Sequence, residues 1–183
     1  MSLKIAIAQI NATVGDFAGN RARILDFAER ARQQGADLLL TPELALCGYP
    51  PEDLLLRADF CETCERELDA LANSLQGIAV LVGHPEKRDS HCYNAATLLN
   101  DGQRLATYYK QRLPSYEVFD EERYFDSGDG PCVLTLKGIR CGVNICADVW
   151  EPGAADLARA AGAAILLVLN ASPYHMGKRE RRT

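Results

Sequence analysis

The stretch from residue 138 to 170, "GIRCGVNICADVWEPGAADLARAAGAAILLVLN", decides the fold. Its opening, Gly138 to Ile145, is a short apolar run that follows a Lys137-Gly138 turn signal, and it reads as a buried strand. The run breaks at Cys146-Ala147-Asp148, passes the chain's only tryptophan, Trp150, and turns at Pro152-Gly153. "AADLARAAG" then has helical spacing, and "AILLVLN" is a second strand. Strand, helix and strand in succession belong to a layered α/β domain.

The same alternation opens the chain. "KIAIAQI" is a buried strand, and Asn20 is the expected N-cap of a helix "RARILDFAERARQQ" that places Ile24, Leu25, Ala28 and Ala31 on one face before Gly35 stops it. "DLLLT" is the next strand. It runs into the Gly/Pro-rich loop "PELALCGYPPEDLL", a second helix over roughly residues 61–76, and a third strand, "IAVLVG". The middle differs: "CYNAATLLN" and "QRLATYYK" flank Asp101-Gly102, a strong hairpin signal, and "CVLTLKGIRCGVNI" folds back across Lys137-Gly138. Helices at both ends with hairpins between them predict a mixed α/β layered domain. No linker divides residues 1–183, so they read as one domain. The last residues, "ASPYHMGKRERRT", follow a buried strand and resemble the first turn of another helix, so the sequence is expected to be part of a larger protein.

Composition narrows the function. A net charge of −5, with a basic run only in "GKRERRT", argues against a nucleic-acid or anionic-membrane binder. The longest early apolar run, Ile5 to Ile10, is too short for a signal or a membrane span, and the seven cysteines are odd in number and scattered in apolar segments. They read as reduced thiols in a cytoplasmic protein. "CETC" (Cys61 to Cys64) has metal or redox spacing, but no second Cys/His pair accompanies it, so both cysteines are assigned to a helix and no metal site is expected. His84 and His175 read as loop residues with local hydrogen bonds, and His91 as flanking a strand.

Three residues share one position in this layout, at or just past a strand's C-terminal end. They are Glu43 in "LLLTPEL", Lys110 in "LATYYKQRLP" and Cys146 in "GVNICADVW". Such ends converge on one side of a sheet. A carboxylate, an ammonium and a thiol that meet there form a set for covalent catalysis. Lys110 and a helix N-terminus leading to Gly153 are expected to lower the thiol pKa, Glu43 to move protons, and Lys110 with the N–H after Cys146 to hold a tetrahedral oxyanion. Buried cysteine and solvated Glu and Lys are the bland alternative.

With those segments in place, the sequence resembles the nitrilase, or carbon–nitrogen hydrolase, superfamily, in which "PELALCGYP", "YYKQRLP" and "NICADVW" carry a Glu-Lys-Cys triad in this order. Within it, "ELALCGYPPEDLLLR", "YYKQRLPSYEVFDEERYF" and "NASPYHMGK" resemble the glutamine-hydrolysing branch found in glutamine-dependent NAD synthetases, over nearly the whole chain. The resemblance implies a four-layer α-β-β-α sandwich, truncated here at its C-terminal end, that assembles into homo-oligomers. It implies Glu43 as general base, Lys110 as stabiliser of the intermediate, Cys146 as nucleophile and Glu121 as the lysine's support. Tyr116, Trp150, Ser172 and Lys178 would line the glutamine pocket. Glutamine would acylate Cys146 and release ammonia without a cofactor. ATP, Mg and deamido-NAD would bind only in a synthetase domain, whose S-G-G-x-x-S loop is absent from this sequence.

One position departs from that branch. The residue after the nucleophile is commonly a glutamate that meets the substrate's α-amino group, and here it is Ala147. A charge-assisted contact of this kind contributes roughly 1.5–3 kcal/mol in a dry site. Glu117 and Glu151 are the nearby acids. Two other readings stay open at this level: a stand-alone amidase for a small amide, and a non-catalytic scaffold that keeps the fold.

Overall fold

Two kinds of strand pairing divide the chain. The computed structural model describes residues 2–115 and 120–172. Strands β1 (Ile5–Ile7), β2 (Leu38–Leu40) and β3 (Ala79–Arg88) pair in parallel, joined by helices α1 (Phe17–Gln33) and α2 (Ala58–Ser74). Strands β4 (His91–Asn100) and β5 (Gln103–Tyr109) then extend the sheet antiparallel, in the order β1-β2-β3-β4-β5. A three-stranded sheet follows, in which β6 (Cys132–Leu136) and β7 (Ile139–Ile145) form a hairpin and β8 (Ile165–Leu169) lies parallel to β7 after helix α3 (Ala154–Ala160). No helix among the described residues is long and apolar enough to cross a membrane.

The layers follow from side-chain alternation along the strands. On β2, Leu39 packs into the cluster beneath α1 and α2 with Ile24, Leu68 and Val80. Its neighbours Leu38 and Leu40 point the other way, into a second cluster with Leu134, Val143 and Leu167 of the three-stranded sheet. The outer face of that sheet carries α3, against which Gly142 fits so closely that a Cβ there would lie 2.9 Å from the Ala158 Cβ. The order is therefore helices, sheet, sheet, helix: the α-β-β-α sandwich.

Local punctuation agrees with the sequence in most places and corrects it in three. Gly35, at φ +71°, ends α1 in a Schellman arrangement, with its N–H on Arg32 O and the Ala36 N–H on Ala31 O. Both predicted hairpins form. The α1 N-cap, however, is Asp16, whose side chain accepts the Gly19 N–H. Asn20 lies one turn inside the helix, fully buried, donating to Thr13 O and Leu46 O and so tying α1 to the loop after β2. The third strand also runs five residues past Gly83, to Arg88, and pairs with β4 throughout. This puts His84 in a strand rather than a loop, with Nε2 2.7 Å from the Thr97 hydroxyl.

Candidate active site

Because β5 is antiparallel to β4 and β4 to β3, strands β2, β3 and β5 run the same way and end at one edge of the sheet. Glu43 lies just past β2 and Lys110 just past β5. Both are 1% exposed. The Lys110 Nζ donates to Glu43 Oε1 at 2.7 Å and to both oxygens of Glu121 at 2.9 and 2.7 Å. Two carboxylates around one buried ammonium satisfy each other, which is the condition for burying such charges. Burial works against the Lys110 charge, but Glu43 and Glu121 outweigh it and hold its pKa above that of an ordinary lysine. Burial pushes Glu121 up to about 7, with Lys110 opposing the shift.

Close backbone contacts fix this cluster. Glu43 packs against β3 at Gly83, where a Cβ would lie 2.5 Å from both Leu44 N and Pro42 O. The Gly128 N–H holds the Lys110 carbonyl at 2.8 Å. Two further partners reach Glu43: the Asn94 side-chain amide donates to Oε1 at 2.9 Å, and the Ala171 N–H reaches Oε2 at 3.3 Å. Oε2 thus has the weaker partner and the spare accepting capacity.

From the second sheet, β7 ends at Ile145, and Cys146 opens a short 3-10 turn, Cys146–Val149. Cys146 sits at φ +44°, a left-handed conformation that is uncommon for a residue with a side chain and is concentrated at functional sites. Its Sγ lies 3.4 Å from the Ser172 hydroxyl, just past β8. The thiol is 7% exposed. Contrary to the expectation of a low pKa, burial pushes it up to about 11, with the Glu43 charge adding to that and Ser172 and Lys110 opposing it. Burial is the largest cause, and the charges of Glu43 and Glu121 work against the lowering effect of Lys110. Helix α3, expected to act through its N-terminus near Gly153, begins eight residues after the cysteine, at Ala154.

A cavity of ≈ 520 Å³ is lined by Ala147, the residue after Cys146, and by Trp150, together with Arg112, Ser115, Glu122 and Glu151. Ala147, Trp150 and Glu151, one of the two candidate acids, thus share one cavity. Tyr116, Glu117 and Lys178 lie outside the described residues. Asn94, Asp148 and Tyr49, whose hydroxyl is 3.4 Å from Glu121 Oε1, were not singled out from the sequence. Asn94 left a signal: asparagine is depleted in strands, and it interrupts the apolar run "CYNAATLL".

The Carbon-nitrogen hydrolase family profile matches residues 4–182, and the chain belongs to that family. It is 48% identical over 99% of its length to a glutamine-dependent NAD(+) synthetase of Xanthomonas campestris pv. campestris, of which it spans 33%. Among solved structures, the glutamine-dependent NAD+ synthetase of Acinetobacter baumannii superposes with a TM-score of 0.94 at 35% identity, covering 98% of this chain and 34% of that one. An amidase from Nesterenkonia sp. superposes at 0.84 with 31% identity, covering 97% of this chain and 68% of the amidase. The chain spans about a third of the length of the curated synthetases that it matches.

Proposed function

We propose that this chain is the glutamine-hydrolysing part of a glutamine-dependent NAD synthetase, working through a Cys146 acyl-enzyme. The observation that carries the reading is the meeting of Glu43, Lys110 and Glu121, through 2.7–2.9 Å contacts, at the edge where β7 delivers Cys146. Since the resting thiol is protonated, attack on the glutamine side-chain carbonyl takes place with transfer of the Sγ proton to Glu43 Oε2. The oxyanion is held by the Ala147 N–H, which a 3-10 turn leaves without an intrahelical partner, and by Lys110, which turns one N–H away from the carboxylates. The tetrahedral species collapses with return of the proton to the leaving nitrogen, so ammonia departs and a thioester remains. Water deprotonated by Glu43 then attacks the thioester, releasing glutamate and restoring the thiol.

These residues need no cofactor for that chemistry. ATP, Mg and deamido-NAD are assigned to the part of the synthetases that this chain does not match, and ammonia is the link between the two parts. Assembly into a homo-oligomer and a cytoplasmic location belong to the same proposal. Likeness to the Nesterenkonia amidase supports a second reading, hydrolysis of a small amide without a synthetase step, but identity to the synthetases is higher.

A diazo-ketone analogue of glutamine tests the proposal on the full-length protein. The expected result is a mass adduct on Cys146 that is lost in Glu43→Ala. Absence of any adduct on Cys146 would point to the scaffold reading. Hydrolysis of small amides with glutamine untouched would favour the amidase.

A further inference from the structure

We infer that Asp148 is a positioning residue, which sets where Cys146 stands relative to Lys110; the inference rests on the glutaminase reading above. Asp148 is fully buried, two residues after the cysteine. Its Oδ2 accepts the Ile145 N–H at 2.9 Å and the Tyr108 hydroxyl at 2.8 Å. Its Oδ1 accepts the N–H groups of Gln111 and Arg112 at 3.0 and 2.8 Å. Ile145 immediately precedes Cys146, and Gln111 and Arg112 immediately follow Lys110. One carboxylate therefore closes the turn that holds the nucleophile and also ties down the chain leaving the lysine, although these come from different sheets.

All four donors are neutral, and together they use the accepting capacity of an ionised carboxylate. The reach back to Ile145 is that of an N3 acid in a capping box, and it clamps the turn in which Cys146 keeps its left-handed φ. Tyr108 is itself aimed: its oxygen lies 3.3 Å from both the Asn144 and the Gln111 side-chain amide nitrogens, which leaves its own hydrogen for Asp148.

The charge state of this clamp matters more than its shape. Asp148→Asn keeps the volume but replaces one oxygen with an NH2 group. If the remaining oxygen serves Gln111 and Arg112, the new NH2 faces the Tyr108 hydroxyl, which can accept it only by giving up its bond from Asn144 or Gln111, and the Ile145 N–H, which cannot accept at all. The variant thus releases the Cys146 side of the clamp while it keeps the Lys110 side. Tyr108→Phe removes one bond of four and leaves the carboxylate charged.

The test compares wild type, Asp148→Asn and Tyr108→Phe in the full-length protein by glutamine kinetics, Cys146 alkylation with iodoacetamide followed by peptide mass spectrometry, and thermal unfolding. Misplacing a reacting group by about 1 Å costs roughly a hundredfold, so Asp148→Asn is expected to lower kcat and the alkylation rate by about that order while the glutamine KM stays within about threefold. Tyr108→Phe is expected to lose several-fold in both rates. A purely architectural aspartate would lower the unfolding midpoint and leave the kcat and alkylation rate of the folded protein at wild-type values, which overturns the inference. If Asp148→Asn does not fold, Tyr108→Phe decides, and wild-type rates in that variant overturn it. If the wild-type protein leaves glutamine intact, the glutaminase reading fails by itself, and the alkylation rates still decide on Asp148.

Discussion

The two sheets finish at the same edge of the molecule and build opposite surroundings there. On the five-stranded sheet, Glu43 and Lys110 are 1% exposed and locked with Glu121 into a cluster in which every charge has a partner. On the three-stranded sheet, Cys146 sits at φ +44° with the Ser172 hydroxyl 3.4 Å from its Sγ, and Ala147, which follows it, lines a cavity of ≈ 520 Å³. In the proposed reaction the first region supplies the charge that a tetrahedral intermediate needs. The second presents a neutral thiol that becomes a nucleophile only when a base removes its proton. The contrast shows why the cysteine alone does not define the site: its pKa is set by burial and by the carboxylate across the gap.

Removing the nucleophile tests the contrast most strongly. Cys146→Ala is expected to lower glutamine hydrolysis by roughly 10⁴-fold or more while changing the unfolding free energy by about 1 kcal/mol or less. Steady-state kinetics with urea unfolding checks both halves. Lys110→Met does the reverse to the other region, leaving two buried carboxylates without their cation. A loss of about 3–5 kcal/mol in stability is expected, and activity falls with it.

Acid probes the five-stranded sheet. His84 is buried, and burial lowers its pKa to about 4 from an ordinary 6.5. Between those values the unfolded chain takes up a proton that the folded chain refuses, so this group's contribution is lost as pH falls from about 6.5 to about 4. The loss amounts to about 3 kcal/mol, and the difference in stability between wild type and His84→Gln should disclose it as a slope confined to that window. The smallest effect is expected at the opposite end of the sandwich, where Lys137 of the β6–β7 turn pairs with Asp37 at 2.6 Å. That pair is solvated at the lysine, so Lys137→Ala should leave the unfolding midpoint unchanged in moderate salt. A clear drop would mean that the two sheets are held together at both ends rather than mainly at the Asp148 end.

Much of this arrangement was legible in the sequence. The periods of Ile24, Ala28 and Ala31, the Gly35 stop and the two turn dipeptides are local signals, and local structure followed them. Glu43, Lys110 and Cys146 were found because each ends a strand. The parts that were not legible depend on contacts between distant segments. Asn20 is as good an N-cap by type as Asp16, and only its bonds to Thr13 and Leu46 pull it into the helix. The high thiol pKa could not be read from spacing, because it turns on how deeply the folded chain buries Cys146 and how close it brings Glu43. Asp148 was passed over for the same reason: three of its four partners are backbone or hydroxyl groups of the β5 exit, some forty residues earlier.

The central claim is that Cys146 carries the glutamyl group between the two half-reactions. Rapid acid quenching of the full-length protein during turnover of glutamine, followed by peptide mass spectrometry, tests it directly. A γ-glutamyl thioester on the peptide containing Cys146, absent when glutamine is withheld, is the predicted result. Glutamine consumed with that peptide unmodified, or with the glutamyl group on one of the other six cysteines, would contradict the account.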